Sequence, residues 1–176
     1  MNIILLCSDT EHPVYSFLQQ WEKAQTEHSV CLINHTSEIK ANADILFCIS
    51  CSEIIRKNIL NKFTHTLVLH ASDLPEGRGW SPHVWQILNG SNKITLSLLS
   101  AVDGVDTGPI WKKLDIPLTG FELFDEINQK LFEAEIKMLD WACDNVSFET
   151  PTAQSEDDST YYRKRVAADS ELDIDK

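Results

Sequence analysis

Residues 68–111 read V-L-H-A-S-D-L-P-E-G-R-G-W-S-P-H-V-W-Q-I-L-N-G-S-N-K-I-T-L-S-L-L-S-A-V-D-G-V-D-T-G-P-I-W, and their order decides the fold. An apolar strand-like run, Thr66 to Leu69, delivers His70 into a loop punctuated by proline and glycine. Ser81-Pro82 is a helix start, an N-cap side chain followed by proline at the first helical position, and Asn89-Gly90 is a stop. A second strand-like run, Ile94 to Ala101, leads into an acidic turn, Val102 to Gly108, that carries Asp106. Two ionisable side chains at the ends of neighbouring strands can meet in one crevice, which is where open α/β sheets place their chemistry.

Outward from this stretch the same alternation repeats. Asn2 to Cys7, Ser29 to Ile33 and Asp44 to Ser50 are short apolar runs, each the signature of a strand buried on both faces. Between them, Val14, Phe17, Leu18, Trp21 and Ala24 recur at helical spacing, as do Ile54, Ile55, Ile59 and Leu60. These patterns predict helices over residues 13–24 and 53–62. Ile110 to Leu118 reads as a further strand, antiparallel to its predecessor because only a turn separates the two. Thr119 is placed to cap a long helix bearing Phe124, Ile127, Leu131, Ala134, Met138 and Leu139. Strands alternating with helices predict an α/β fold, a Rossmann-like, mostly parallel twisted sheet flanked by helices. Residues 1–148 form the expected core. Residues 149–176 change composition and read as a polar linker, 150–160, followed by a basic and aromatic patch, Tyr161 to Arg165, and an acidic tail.

At 176 residues and 43% hydrophobic content the chain is long and apolar enough for one packed core. Its net charge of −12 argues against a large nucleic-acid partner, which needs a basic face. No run approaches the ~20 apolar residues of a membrane span, so no membrane partner is expected. Five cysteines, an odd number, without a signal-peptide pattern suggest reduced thiols and a cytoplasmic location.

The blocks His70-Ala71-Ser72-Asp73-Leu74-Pro75, Arg78-Gly79 with Pro82, and Asp106-Thr107-Gly108 agree in order and spacing with one pattern. It resembles that of the folate-dependent formyltransferases: methionyl-tRNA formyltransferase, glycinamide ribonucleotide transformylase and the sugar N-formyltransferases. The likeness covers about residues 1 to 145, and the loop G-R-G-W-S-P-H-V-W-Q-I-L looks most like the amino-sugar members. It implies a formyltransferase core that moves a formyl group from 10-formyltetrahydrofolate to an amine, without a metal. The amine attacks the formyl carbon; His70 stabilises the tetrahedral oxyanion while Asp106 holds and tunes His70 and helps move the amine's proton. By the same resemblance, Ser52, Ile54, Val102, Asp103 and Val105 contact the folate. Ser72, Arg78 and Trp80 fall to the acceptor side, and Arg78 is equally suited to a structural bond with a loop carbonyl. The implied acceptor is a nucleotide-linked amino sugar; transfer RNA ranks lower because the chain is acidic and no second domain follows the core. A homodimer is left open.

One position departs from the family. Its catalytic asparagine would lie two residues before His70, where this chain has Val68. Valine donates no hydrogen bond, and losing one oxyanion donor typically costs ~2.7–4 kcal/mol. Ser72 or Asn92 could serve instead, or the protein could bind folate or nucleotide with weakened turnover. A third reading takes Cys48-Ile49-Ser50-Cys51 as a thiol redox pair, against the simpler view of small buried residues at a strand end.

Overall fold

The computed structural model describes residues 1–171. Its centre is a six-stranded sheet in the order β2-β1-β3-β4-β6-β7. Here β1 is Asn2–Leu6, β2 Ser29–Ile33, β3 Ala43–Cys48, β4 Phe63–His70, β6 Lys93–Ser100 and β7 Ile110–Pro117. The strands β2, β1, β3 and β4 are parallel; β6 runs antiparallel to β4 and β7 antiparallel to β6. The expected apolar runs are all strands, but β6 reverses direction. The one helix in the connection from β4 is the short α3, Pro82–Leu88. Seven helical residues extend ~10 Å, less than half of the ~26 Å spanned by an eight-residue strand. The chain therefore re-enters the sheet at the end it left.

Side-chain alternation sorts the sheet into two faces. Ile3, Leu5, Ile45, Phe47, Leu67, Leu69, Ile94, Leu96 and Leu98 point to the face covered by α1, Tyr15–Ala24, and α4, Phe124–Asn145. Full burial of each such side chain contributes roughly 1.5–3 kcal/mol. The indole Nε1 of Trp21 in α1 donates to the Asp140 carboxylate of α4 at 2.7 Å, tying the two helices together. The opposite face carries a smaller cluster of Leu6, Ile33, Ile39, Leu46 and Cys48, against which Val68 packs.

Two helices are shorter than their apolar spacing predicts. The second, α2, covers only Lys57–Leu60. Glu53 is committed elsewhere, accepting from the Thr36 hydroxyl at 2.6 Å and facing the His35 ring at 3.1 Å, and this holds the preceding residues in a loop. The last helix starts at Phe124 rather than after Thr119, because the Glu122 carboxylate accepts from the amides of Thr119 and Gly120 and so closes a separate turn. The Glu126 carboxylate then accepts from the amide of Leu123 and caps the helix.

Residues 149–162 are not a free linker. Thr152 and Ile110 exchange backbone hydrogen bonds of 2.7 and 2.8 Å at the start of β7. Further on, β8, Tyr161–Tyr162, pairs in parallel with β5, Arg78–Gly79. The segment crosses the loop after β4 as a strap. Its polarity, which reads as solvation in the sequence, is used for bonds to that loop.

Candidate functional site

His70 ends β4 and is 7% exposed. Its Nδ1 lies 3.6 Å from Asp106 Oδ2, and its Nε2 lies 2.8 Å from the Gly77 carbonyl oxygen. A carbonyl only accepts, so Nε2 carries a proton, and a second proton on Nδ1 would face the Asp106 carboxylate. The pair that the sequence places 36 residues apart thus meets in one site.

A strained turn aims Asp106. The residue is left-handed, φ 55°, a conformation that aspartate tolerates better than most residues. Its Oδ2 also accepts from the amide of Gly79 at 2.9 Å. Two residues on, Gly108 passes so close to the end of β6 that a Cβ there would overlap the Ser100 carbonyl oxygen. Gly79 is likewise irreplaceable: φ is 96°, and a Cβ would strike the Tyr162 carbonyl and the Tyr161 ring.

The strap supplies a residue that sequence reasoning missed. Gln154 Nε2 donates to the carbonyls of Asp106, at 2.8 Å, and Gly108, at 2.7 Å. Its Oε1 accepts from Arg78 Nη2 at 3.0 Å and Nε at 3.3 Å. One side chain thus bolts the aspartate turn to the loop after β4. No local pattern marks Gln154; the only sequence signal is its position within a stretch of polar residues.

Several expected contacts fall differently. Arg78 is 7% exposed and directs its guanidinium to the side chains of Gln154 and Glu156, not to the backbone carbonyl of a loop. Ser72 is fully buried; its hydroxyl donates to the Glu76 carbonyl and accepts from Gln86 Nε2 at 3.0 Å, which leaves no donor for an oxyanion. Trp80 is 40% exposed with Lys164 Nζ 4.9 Å from its ring centroid. Ile54 and Asp103 line one surface cavity of about 300 Å³, with Arg56 and Lys57 beside them. Val102 and Val105 are exposed apolar side chains on the same turn as Asp103, and Ser52 donates its amide to Ser8 Oγ at 3.1 Å. Val68 sits in the apolar cluster behind the site.

A second histidine, His83, lies close to His70 and to His12. Burial pushes His83 down to about 4, reinforced by the proximity of His70 and His12, and its Nδ1 is buried without a partner among the described residues. His12 is also lowered by burial; its Nδ1 accepts from the amide of Val14 and its Nε2 faces Ser50 Oγ at 3.3 Å. Both rings are neutral near pH 7. Nearby, the neighbouring Cys48 thiol holds Cys51 down at about 6, helped by Ser8 Oγ, which donates to its sulfur at 3.6 Å, while Cys48 is raised by Cys51 and by burial. Among the described residues, no group of three or more His, Cys, Asp or Glu side chains is placed to hold a metal ion. No described helix is long and apolar enough to cross a membrane.

An open α/β sheet with an imidazole–carboxylate pair beyond the end of a central strand defines a Rossmann-like fold with a candidate acid–base site. The Formyl transferase family model matches residues 34–142, and the chain belongs to that family. Methionyl-tRNA formyltransferase of Rickettsia felis is 30% identical over 149 residues, 84% of this chain and 48% of that protein. The structure of the methionyl-tRNA formyltransferase from Clostridium thermocellum superposes with a TM-score of 0.84 at 25% identity, covering 100% of this chain and 78% of that one. The formyltransferase PseJ from Anoxybacillus kamchatkensis, solved with a UDP-linked formamido sugar and tetrahydrofolate, shares the fold with a TM-score of 0.71 at 20% identity over 93% of this chain and 86% of that one. The chain spans between 25% and 52% of the length of the curated relatives it matches.

Proposed function

We propose that this protein transfers a formyl group from 10-formyltetrahydrofolate to the amine of a nucleotide-linked amino sugar. The observation that carries the reading is the contact between His70 and Asp106 in a chain of this family. The folate supplies an activated formyl carbon when bound. The cavity shared by Ile54 and Asp103, with exposed Val102 and Val105 close in sequence, suits a flat ring with polar edges.

His70 Nε2–H is the donor for charge developing on the formyl oxygen. The Gly77 carbonyl accepts that proton here, and the reacting oxygen takes the carbonyl's place. A proton arriving on Nδ1 faces Asp106, whose charge is held in position by the Gly79 amide. The ring can therefore collect the amine's proton and stay oriented. Acidity of the whole chain, −12, supports a small acceptor over a large polyanion.

The test is release of tetrahydrofolate from 10-formyltetrahydrofolate in the presence of UDP-linked amino sugars. His70→Ala and Asp106→Asn should each lower kcat/KM at least ~100-fold, the usual size of a positioned acid–base contribution. Unchanged rates in both variants would remove the proposal. A second reading, folate binding with little turnover, is favoured by Val68 in its apolar cluster. It predicts tight folate binding and no tetrahydrofolate release with any amine.

A further inference from the structure

Two thiols share the sheet face that lies away from α1 and α4. Cys48 ends β3 and is 3% exposed, while Cys51 is half-buried and packs against the same apolar cluster. Two residues separate them. One of these, Ser50, is left-handed at φ 47°, a conformation that few residues other than glycine adopt. That turn brings Cys51 back toward the strand it follows, close enough for the two thiols to shift each other's acidity. Cys7 packs in the cluster on the other face, and its Sγ donates to the Asp9 carbonyl at 3.6 Å. Cys48 is therefore the thiol that Cys51 meets on its own side of the sheet.

The two differ in reactivity. Ser8 Oγ donates to Cys51 Sγ at 3.6 Å, a bond that strengthens when the sulfur is an anion. The thiolate is the nucleophile, and Cys51 is the thiol whose acidity is raised. Its neighbours Ser50 and Ser52 are exposed, so a small reagent reaches this sulfur from solvent while Cys48 stays shielded. One accessible thiolate beside one buried thiol is the arrangement of a reversible oxidation site.

The same sulfur fastens a loop. Cys51 Sγ donates to the Glu53 carbonyl at 3.6 Å, and Ser8 Oγ also accepts from the Ser52 amide at 3.1 Å. Ile54 follows, 79% exposed, on the wall of the cavity it shares with Asp103. A Cys51 sulfur bonded to Cys48 cannot donate to Glu53 and carries no charge for Ser8 Oγ to stabilise. Oxidation thus weakens two of the ties that hold residues 51–54 against the end of β1.

We propose that Cys51 is a site of reversible oxidation by small hydroperoxides, resolved by Cys48 into a disulfide that lowers the affinity of the adjoining cavity for the folate donor. With hydrogen peroxide, the Cys51 thiolate attacks one oxygen. An S–O bond forms, the O–O bond breaks, and the departing hydroxide takes up the proton Cys51 had released, giving water. The sulfur is oxidised by two electrons to a sulfenic acid and the peroxide is reduced. Cys48 sulfur then attacks Cys51 sulfur: the S–S bond forms, the S–O bond breaks, and the hydroxyl leaves with the Cys48 proton as a second water. An external dithiol restores both thiols by exchange and becomes a disulfide itself. The effect on the donor rests on the formyl-transfer reading; the oxidation does not.

The full chain is treated with equimolar hydrogen peroxide, desalted, alkylated after denaturation and mapped by mass spectrometry. Two of the five free thiols should be lost, as a Cys48–Cys51 disulfide that dithiothreitol removes. In Cys48→Ala, Cys51 should stop at the sulfenic acid, which dimedone traps; wild type should trap far less. The wild-type map alone decides the pairing if Cys48→Ala fails to fold. Calorimetric binding of 5-formyltetrahydrofolate should weaken at least ~5-fold on oxidation and recover with dithiothreitol. Cys51→Ser should bind it as reduced wild type does, with or without peroxide. Oxidation of Cys31 or Cys143 ahead of Cys51, a disulfide through Cys7, or equal dimedone trapping in wild type and Cys48→Ala overturns the site. A Cys48–Cys51 disulfide with unchanged folate affinity overturns its coupling to the donor. If the disulfide forms but the protein binds no folate in either state, the formyl-transfer reading falls and the oxidation site stands.

Discussion

Replacing Gln154 by alanine tests whether the strap holds the site together. The substitution removes two donors from the carbonyls of Asp106 and Gly108 and one acceptor from the Arg78 guanidinium. A neutral hydrogen bond contributes ~0.5–1.5 kcal/mol net and one to a charged group ~1.5–3 kcal/mol. Glu156 stays on Arg78, and water can reach part of the turn, so the loss should be ~2–4 kcal/mol. For a chain of this size that lowers Tm by about 5–15 °C. Asp106 would also lose the support of its own carbonyl, and a misplaced acid–base partner should cost ~10–100-fold in kcat/KM. Gln154→Glu sharpens the experiment. It keeps an acceptor for Arg78 but sets a carboxylate against two carbonyl oxygens, so it should damage the turn at least as much as alanine does. Differential scanning calorimetry and the tetrahydrofolate-release assay read the two effects. If Gln154→Ala melts within about 1 °C of wild type and turns over normally, the bolt is not a bolt.

Glu135 of α4 is 7% exposed, its Oε2 has no partner among the described residues, and burial pushes its carboxyl up to about 8. The folded state therefore keeps a proton that the unfolded chain releases near pH 4.5, and stability should decline as pH rises from about 4.5 to 8. Glu135→Gln should raise Tm at pH 8, by on the order of 2–4 kcal/mol of added stability, and do little at pH 4.5; equal gains at both pH values would contradict this. Cys51, held down at about 6, should be the thiol that iodoacetamide modifies first at pH 7, and Ser8→Ala should slow it; faster labelling of exposed Cys31 on peptide mapping would refute the reading. Gly108→Ala drives a Cβ into the Ser100 carbonyl and should cost roughly 2–4 kcal/mol by denaturant titration, with formyl transfer lost in parallel; a wild-type midpoint would show that the turn can move.

Much of this architecture is written in the chain because burial on both faces leaves continuous apolar runs such as Ile3 to Leu6 and Ile45 to Cys48. The order His70, proline-glycine loop, strand, Asp106 was equally legible, since each block has its own turn chemistry. Strand direction was not. The run Ile94 to Ser100 reads the same in either sense, and only the shortness of α3 decides that it returns antiparallel. Helix α2 is overestimated because Ile54, Ile55, Ile59 and Leu60 keep helical spacing while Glu53 is bonded to the preceding loop. The strap was opaque for a different reason. Gln154, Glu156 and Thr160 make specific bonds with side chains that are just as common in solvated linkers. His83 comes near His70 through tertiary packing alone, which no spacing along the chain reveals.

The strap also sets an order of events. Gln154 and β8 are synthesised after every strand of the main sheet, so a nascent chain can complete the sheet while the Asp106 turn still lacks its fastening. Cutting at the apparent boundary after residue 148 would reproduce that intermediate permanently. The fragment would keep the hydrophobic layers, yet only the Gly79 amide, itself no longer braced by β8, would hold the carboxylate toward His70.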